Sequence, residues 1–306
     1  ILDLHSHGMK LAIASSSPLE AIKETADNLG ITSYFTKLIS GMSVPKSKPH
    51  PDIFLKAASE LSVSVDECLI IEDSTNGILA GVRANIPVIG FYNPHSGNQD
   101  LSKACLVVEG FEEVDYNFMN KTYHQVHNLP FTIAETNRLL IRELSTSDAK
   151  ELYELYQDPA FLVPDVTPIA SSIEETKDKL ESYMKYMYHL QGFGLYGVFS
   201  KETTELIGHC GIELKEVFVE SVQQSIYELS YAIKQSEQQK GYAYESICAI
   251  LDYIKENLDI PKVSIVIRID HQISQKVAQK LDFKLISLVT RNIEGNITYQ
   301  LYEKLL

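Results

Sequence analysis

The chain has 306 residues, 44% hydrophobic and 22% charged, more than one domain of roughly 100 to 200 residues requires and enough to bury two cores. Its 41 acidic against 27 basic side chains give a formal charge of -14, which repels a phosphate backbone and excludes nucleic acid as the expected partner. No apolar run reaches the roughly 20 residues that cross a bilayer, no leader segment opens the chain, and Cys68, Cys105, Cys210 and Cys248 lack metal or redox spacing, so a soluble cytoplasmic protein with buried reduced thiols is expected.

Residues 1–115 alternate short apolar runs with amphipathic stretches, the pattern of a parallel sheet flanked by helices. Residues 10–14 predict a strand, followed by a helix with Leu19, Ile22, Ala26 and Leu29 on one face and Gly30 at its end. Residues 51–61 predict a second helix, and 69–72, 87–91 and 106–108 three further strands. Between 115 and 136 the periodicity lapses into Asn, His, Tyr and Lys around Pro130, as in a connecting segment.

From Asn137 the order changes to a strand at 138–144, a helix at 148–157 and a longer one at 173–190, where Leu180, Tyr183, Met184 and Met187 share a stripe. Strands follow at 195–199, 205–214 and 225–233, then a helix from Gly241 with Ile247, Ile250, Leu251 and Ile254 at spacings of three and four. A strand at 263–269, a helix at 274–281 and two closing strands complete the chain. Strands that alternate only partly with helices predict a mixed sheet.

In the N-terminal half, LAIASSS from Leu11, KSKPHPDIF from Lys46 and LIIEDSTNGILAG from Leu69 come at the ends of successive predicted strands or in the loops beyond them. Singly, Ser15 reads as a turn residue, Lys48 as a solvated cation and Glu72 with Asp73 as a helix cap. In this order they resemble the haloacid dehalogenase (HAD) superfamily, most of all its β-phosphoglucomutase-type phosphatases. The resemblance implies that Ser15 and Lys48 bind the phosphoryl group and that Glu72 and Asp73 hold Mg²⁺. The family's Asp-x-Asp nucleophile segment and its cap domain are missing from the chain. In that family the missing strand runs between those that precede Ser15 and Asp73, so either the two neighbours close up or a longer protein supplies it. The opening at Ile1, inside what reads as a helix and without Met, favours a fragment. No phosphatase activity is expected of the chain as given.

In the C-terminal half, YELSYAIKQSEQQKGYAYES from Tyr227 reads as a strand, a polar loop and a helix start. Such a start offers unpaired amides and the positive helix end to a diphosphate, and Gly241 lets the backbone approach it. Together with NRLLIRELSTSDA from Asn137 and DHQISQKVAQKLDF from Asp270, it resembles the GNAT superfamily of N-acetyltransferases, in particular the RimJ/RimL-like branch, whose pattern continues N-x-x-S-x-x-x-x-x-K-x-G-F. The chain departs from that pattern at His271 for Asn, at Asp282 for Gly and at Ala278, where relatives place a protonating Tyr.

The resemblance implies transfer from acetyl-CoA to an amine, with the cofactor between two splayed strands. Gln238, Gln239, Lys240, Gly241, Tyr242 and Ala243 would bind it, with His271 near the pantetheine arm and the amides of Ala232 and Ile233 as oxyanion donors. Glu228 is either the general base or an outward-facing strand carboxylate. Ser274 either protonates the leaving thiolate, contacts the cofactor or caps a helix. His209 reads as a satisfied structural histidine, and Tyr183, Met184 and Met187 as core stripe or acceptor border.

The fold class expected is α/β, a partial Rossmann-like HAD core at 1–118, a linker at 119–136 and a mixed-sheet α/β GNAT domain at 137–306. The function expected is acetyl-CoA-dependent N-acetylation of a primary amine on a small molecule or peptide. The alternatives are a phosphatase or phosphomutase completed by an upstream segment, with Mg²⁺ as its metal, and a non-catalytic acetyl-CoA-binding module.

Overall fold

A computed structural model describes residues 1–112, 114–161, 170–219, 222–290 and 298–306. The chain divides into two compact units, Ile1–His127 and Asn128–Leu306.

Unit 1 runs α1 (Leu2–Ser6), β1 (Ala12–Ser15), α2 (Leu19–Asn28), β2 (Lys37–Ser40), α3 (Asp52–Leu61), β3 (Ile70–Glu72), α4 (Thr75–Arg83), β4 (Val88–Phe91), β5 (Leu106–Val108) and α5 (Tyr116–Val126). β1 pairs in parallel with β2, and β3, β4 and β5 form a second parallel sheet. β1 and β3 are not paired with each other, so these two strands have not closed up. One core nevertheless serves both sheets, because Ile39 of β2, Ile53 and Phe54 of α3, Ile70 of β3, Ile78 of α4 and Val88 of β4 bury one another. Leu29, expected on the inner face of α2, is exposed just past its end. The sequence reading missed β2 and α4, the first because four residues between polar neighbours make too short a run to register as a period.

The segment 119–136 is not a plain linker. Asp115 caps α5 by accepting from Phe118 N at 2.8 Å, and the helix buries Met119 and Thr122 at a spacing of three. Two inward residues among Asn, His, Tyr and Lys were too few to show as a stripe. Past Pro130, β6 (Thr132–Glu135) pairs antiparallel with β7 (Leu139–Arg142) and belongs to unit 2.

Unit 2 continues with α6 (Ala149–Leu155), α7 (Ile173–Tyr183), β8 (Leu195–Ser200), β9 (Leu206–Val219), β10 (Val222–Ile233), α8 (Tyr242–Asn257), β11 (Lys262–Arg268), α9 (Gln272–Lys280), β12 (Lys284–Thr290) and β13 (Thr298–Leu305). The helix expected to reach residue 190 changes after Tyr183 into a wider π-helical stretch, Met184–Gln191, which ends at Gly192 in the left-handed region. The sheet order is β10-β11-β13-β12-β9-β8-β7-β6, and β10 also pairs with β9. Five strands therefore close into a ring, filled by Val217, Ile226, Val289, Tyr299 and Leu301. β10 and β11 are the parallel neighbours in this otherwise antiparallel sheet, which makes it mixed.

The larger core lies under α8, whose predicted stripe of Ile247, Ile250, Leu251 and Ile254 is buried as its spacing requires. Successive residues of β9 face opposite sides of the sheet. Cys210 lies beside Ser246 of α8, whereas Glu213 accepts from Tyr183 Oη, on α7, at 3.0 Å. The expectation of four buried thiols fails, since Cys210 alone is buried and Cys105 is exposed. No helix among the described residues is long and apolar enough to cross a membrane.

Candidate active site

The strand-to-helix passage after β10 is shaped by two left-handed residues, Gln239 at φ +62° and Gly241 at φ +86°. Glycine adopts that conformation freely, whereas a side chain at 241 would strain it. The first helical bond recorded here runs from Glu245 N to Gly241 O at 3.1 Å. Among the described residues, none of the amides of residues 239–244 donates to an acceptor, and no side chain caps Gly241. The Gln238 side chain is turned the other way, Nε2 donating to Ile233 O at 3.1 Å, and Lys240 Nζ pairs with Glu237 at 2.9 Å. A row of donors at the positive end of a helix of 16 residues is an arrangement whose electrostatics favour an anion.

β10 and β11 meet at one register pair, Glu228↔Ser264. Beyond it β10 stays on β9 as far as Ile233↔Gly208, while β11 stays on β13 as far as Arg268↔Tyr299. The two strands part into a wedge that opens toward the turn at 239–244. Lys234 N donates to Ile207 O at 2.8 Å, so the antiparallel alternation directs the Ala232 amide at β9 and the Ile233 amide away from it, into the wedge. Of the two expected oxyanion donors, the Ala232 amide is thus turned to β9 and the Ile233 amide to the wedge.

Glu228 stands at the vertex, 5% exposed. The outward-facing alternative is thus removed. On the same face, β9 brings Glu213 directly opposite Glu228 and His209 opposite Ala232. His209 is ringed by Phe161 and Tyr156, and burial pushes its imidazole down to about 4, so it is neutral near pH 7. Burial pushes Cys210, on the other face, up to about 12, which leaves it an unreactive thiol.

α9 begins earlier than expected. His271 is its N-cap and accepts from Ser274 N at 3.3 Å through Nδ1, so Ser274 stands inside the first turn and caps nothing. The Ser274 hydroxyl lies beside the phenol of Tyr231, on the wedge segment of β10. Tyr231 Oη is buried without a hydrogen-bond partner among the described residues, and burial pushes its phenol pKa up, so it stays protonated. Sequence reasoning missed Tyr231 and Glu213. The β9/β10 register would have found Glu213, had the strands been followed to their tip.

In unit 1 a cleft of about 430 Å³ is lined by Ser15, Ser16, Lys48, Glu72, Asp73 and Phe111. Lys48 Nζ bridges Ala14 O at 3.1 Å and Glu72 Oε2 at 2.6 Å. Glu72 Oε1 accepts from Ser74 N and Ser74 Oγ at 3.0 and 2.9 Å, and a Cβ on Gly77 would stand 2.0 Å from its Cδ. Both Glu72 oxygens thus carry hydrogen bonds within the protein. Asp73 Oδ2 accepts from Asn93 Nδ2 at 3.2 Å and Ser96 Oγ at 2.9 Å. Partial burial pushes its carboxyl up, these donors outweigh it, and the net shift is downward. The described residues contain no group of three or more His, Cys, Asp or Glu that could hold a metal ion.

Residues 138–284 match the family model of the acetyltransferase (GNAT) domain, and residues 1–91 that of the haloacid dehalogenase-like hydrolase. The chain joins a HAD-like domain to a GNAT domain. Its HAD-like part is 34% identical over 103 residues to phosphoglycolate phosphatase of Colwellia psychrerythraea, a match covering 34% of this chain and 46% of that protein. The chain thus spans less than half the length of that relative. Among solved structures, an acetyl transferase of Salmonella typhimurium that modifies the N-terminal serine of a 50S ribosomal subunit protein aligns with TM-score 0.47 at 19% identity, over 57% of this chain and 99% of that one. β-Phosphoglucomutase of Clostridium difficile aligns with TM-score 0.37 at 31% identity, over 42% of this chain and 54% of that one.

Within the GNAT domain, two of the three departures from the family pattern have a visible local consequence. Ala278 is packed in the core at 1% exposure, which leaves no opening for an acid there. Asp282 takes φ +62° after α9, with Phe283 N donating to Ala278 O at 3.0 Å, a helix ending that glycine fits without strain.

Proposed function

We propose that the GNAT domain transfers the acetyl group of acetyl-CoA to a primary amine. The observation that carries this reading is the wedge between β10 and β11, with the unpartnered amides of residues 239–244 at its open end. Those amides hold the diphosphate and the wedge admits the pantetheine arm. The Ile233 amide donates to the oxygen of the thioester carbonyl as negative charge develops there. Glu228, buried at the vertex, takes the proton of the attacking amine, directly or through a water. One of the adjacent hydroxyls of Ser274 and Tyr231 returns a proton to the leaving sulfur.

Glu213, opposite Glu228, is already paired with Lys215 at 2.9 Å, so it is the formal charge of -14 that favours an acceptor arriving as a cation and deprotonated at the site. The test is release of free CoA thiol across a panel of amines, polyamines, amino sugars and peptides. Glu228→Gln is expected to lower kcat by about 10² to 10⁴ while KM for acetyl-CoA stays within a few fold. An unchanged kcat in that variant removes Glu228 as the base. Thermal stabilisation by acetyl-CoA without thiol release from any amine would favour a binding module instead.

For the HAD-like domain we propose no phosphatase turnover by this chain. The Lys48–Glu72 pair occupies the cation that would neutralise a transferring phosphoryl group, and the sequence carries no Asp-x-Asp nucleophile. Hydrolysis of phosphoglycolate or a sugar phosphate by the chain, lost in Asp73→Asn, is the outcome that would falsify this.

A further inference from the structure

The turn that is to receive a diphosphate carries an acid of its own. Glu245 lies in the first turn of α8, where a carboxylate suits an empty helix end and opposes a bound anion. Arg138, immediately before β7, answers it from outside the motif. Its Nε donates to Glu245 Oε2 at 2.8 Å and its Nη2 to the same oxygen, while Thr136 Oγ1 holds Oε1 at 2.5 Å. Its Nη1 donates to Lys240 O at 3.0 Å, inside the turn, and its guanidinium lies over the Tyr242 ring with 4.6 Å to the centroid. An ordinary surface ion pair contributes little. Here one fork fixes a carboxylate, a turn carbonyl and a ring together, which a lysine cannot reproduce.

We propose that Arg138 is the positioning residue of the diphosphate site. It cancels the Glu245 charge and draws the Lys240 carbonyl to the outer side of the turn, so that the amides of residues 239–244 stay directed at the ligand. The inference rests on the acetyl-CoA reading above and adds to it a residue more than a hundred positions away in the sequence.

The experiment uses the whole chain, with CoA titrated by calorimetry and acetyl-CoA by steady-state kinetics. Arg138→Ala is expected to raise Kd for CoA and KM for acetyl-CoA about tenfold, equivalent to about 1.4 kcal/mol, with kcat within about twofold of wild type. Removing the acid as well, in Arg138→Ala/Glu245→Ala, is expected to bring Kd back to within about threefold of wild type, because the uncompensated charge goes with it. Arg138→Lys should fall between wild type and Arg138→Ala. Wild-type affinity in Arg138→Ala overturns the proposal, as does a double variant no tighter than the single one. A fall in kcat and Tm at constant Kd reduces Arg138 to a structural brace. A wild-type chain that takes up no CoA fails earlier, at the acetyl-CoA reading, and the two failures are told apart on the first titration.

Discussion

Single residues carry two tests of the buried chemistry. His209 is 7% exposed and burial holds it at about 4 in the fold, against 6.5 when exposed. The unfolded chain therefore takes up the proton first. The stability due to the neutral imidazole is complete above pH 6.5 and is lost as pH falls toward 4, by about 1.4 kcal/mol per pH unit. His209→Gln should flatten the pH dependence of the GNAT-domain Tm across that window, and an unaltered slope would count against the assignment. Lys48 and Glu72 are each about 10% exposed at the side chain. Removing one partner strands the other, so Lys48→Met is expected to destabilise the HAD-like domain by about 3 to 5 kcal/mol in urea unfolding. The Lys48–Glu72 pairing was only half legible in the sequence. The Ser15, Lys48, Glu72 and Asp73 order pointed to the cleft, but that Glu72 faces the lysine depends on the Gly77 backbone it packs against.

Elements were read more reliably where their period was long. The α8 stripe, the strand before it and the helix start at Gly241 follow from spacing and from one glycine, and the structure has them. The ring was not legible. Strands ended at residue 214 and resumed at 225 in the sequence reading, whereas the hairpin runs on to Val219 and Val222 through Glu216 and Gln223 on the outer face and Gln224 on the inner one, polar residues that break the apolar alternation and hide the strand. Without that tip the pairings Val289↔Val219 and Thr290↔Phe218, which close the ring, have no partner to be predicted from. Leu301 fills the ring at 2% exposure, and Leu301→Ala should cost about 2 to 5 kcal/mol, read by chemical denaturation. The end of α9 offers the opposite case. Asp282 occupies a left-handed position, and Asp282→Gly should gain up to about 1 kcal/mol, since relief of the backbone outweighs the added freedom of the unfolded chain.

At the scale of the whole molecule the two units are built on separate cores, one drawn from residues 14–104 and the other from 131–306. Each has its own reason to fold. A chain cut to residues 128–306 keeps Phe131 and β6, and it is expected to unfold in one transition and to retain thiol release at the rate of the whole chain. A cut at 137, where the sequence alone placed the domain start, would remove β6 from the sheet. The expected outcome there is a lower Tm, seen by calorimetry. Separate cores were legible in the change from alternating strand and helix to a partly alternating order. The exact junction was not, because β6 is four residues long and follows a helix whose composition reads as coil. The amides of residues 239–244, which donate to no acceptor among the described residues, exchange with solvent deuterium readily, while those in the closed ring are released only when the ladder opens. A deuterium-uptake map of the chain therefore holds its own occupancy gauge: the turn should label at once when empty and slow down when CoA is added, against a ring whose label does not move.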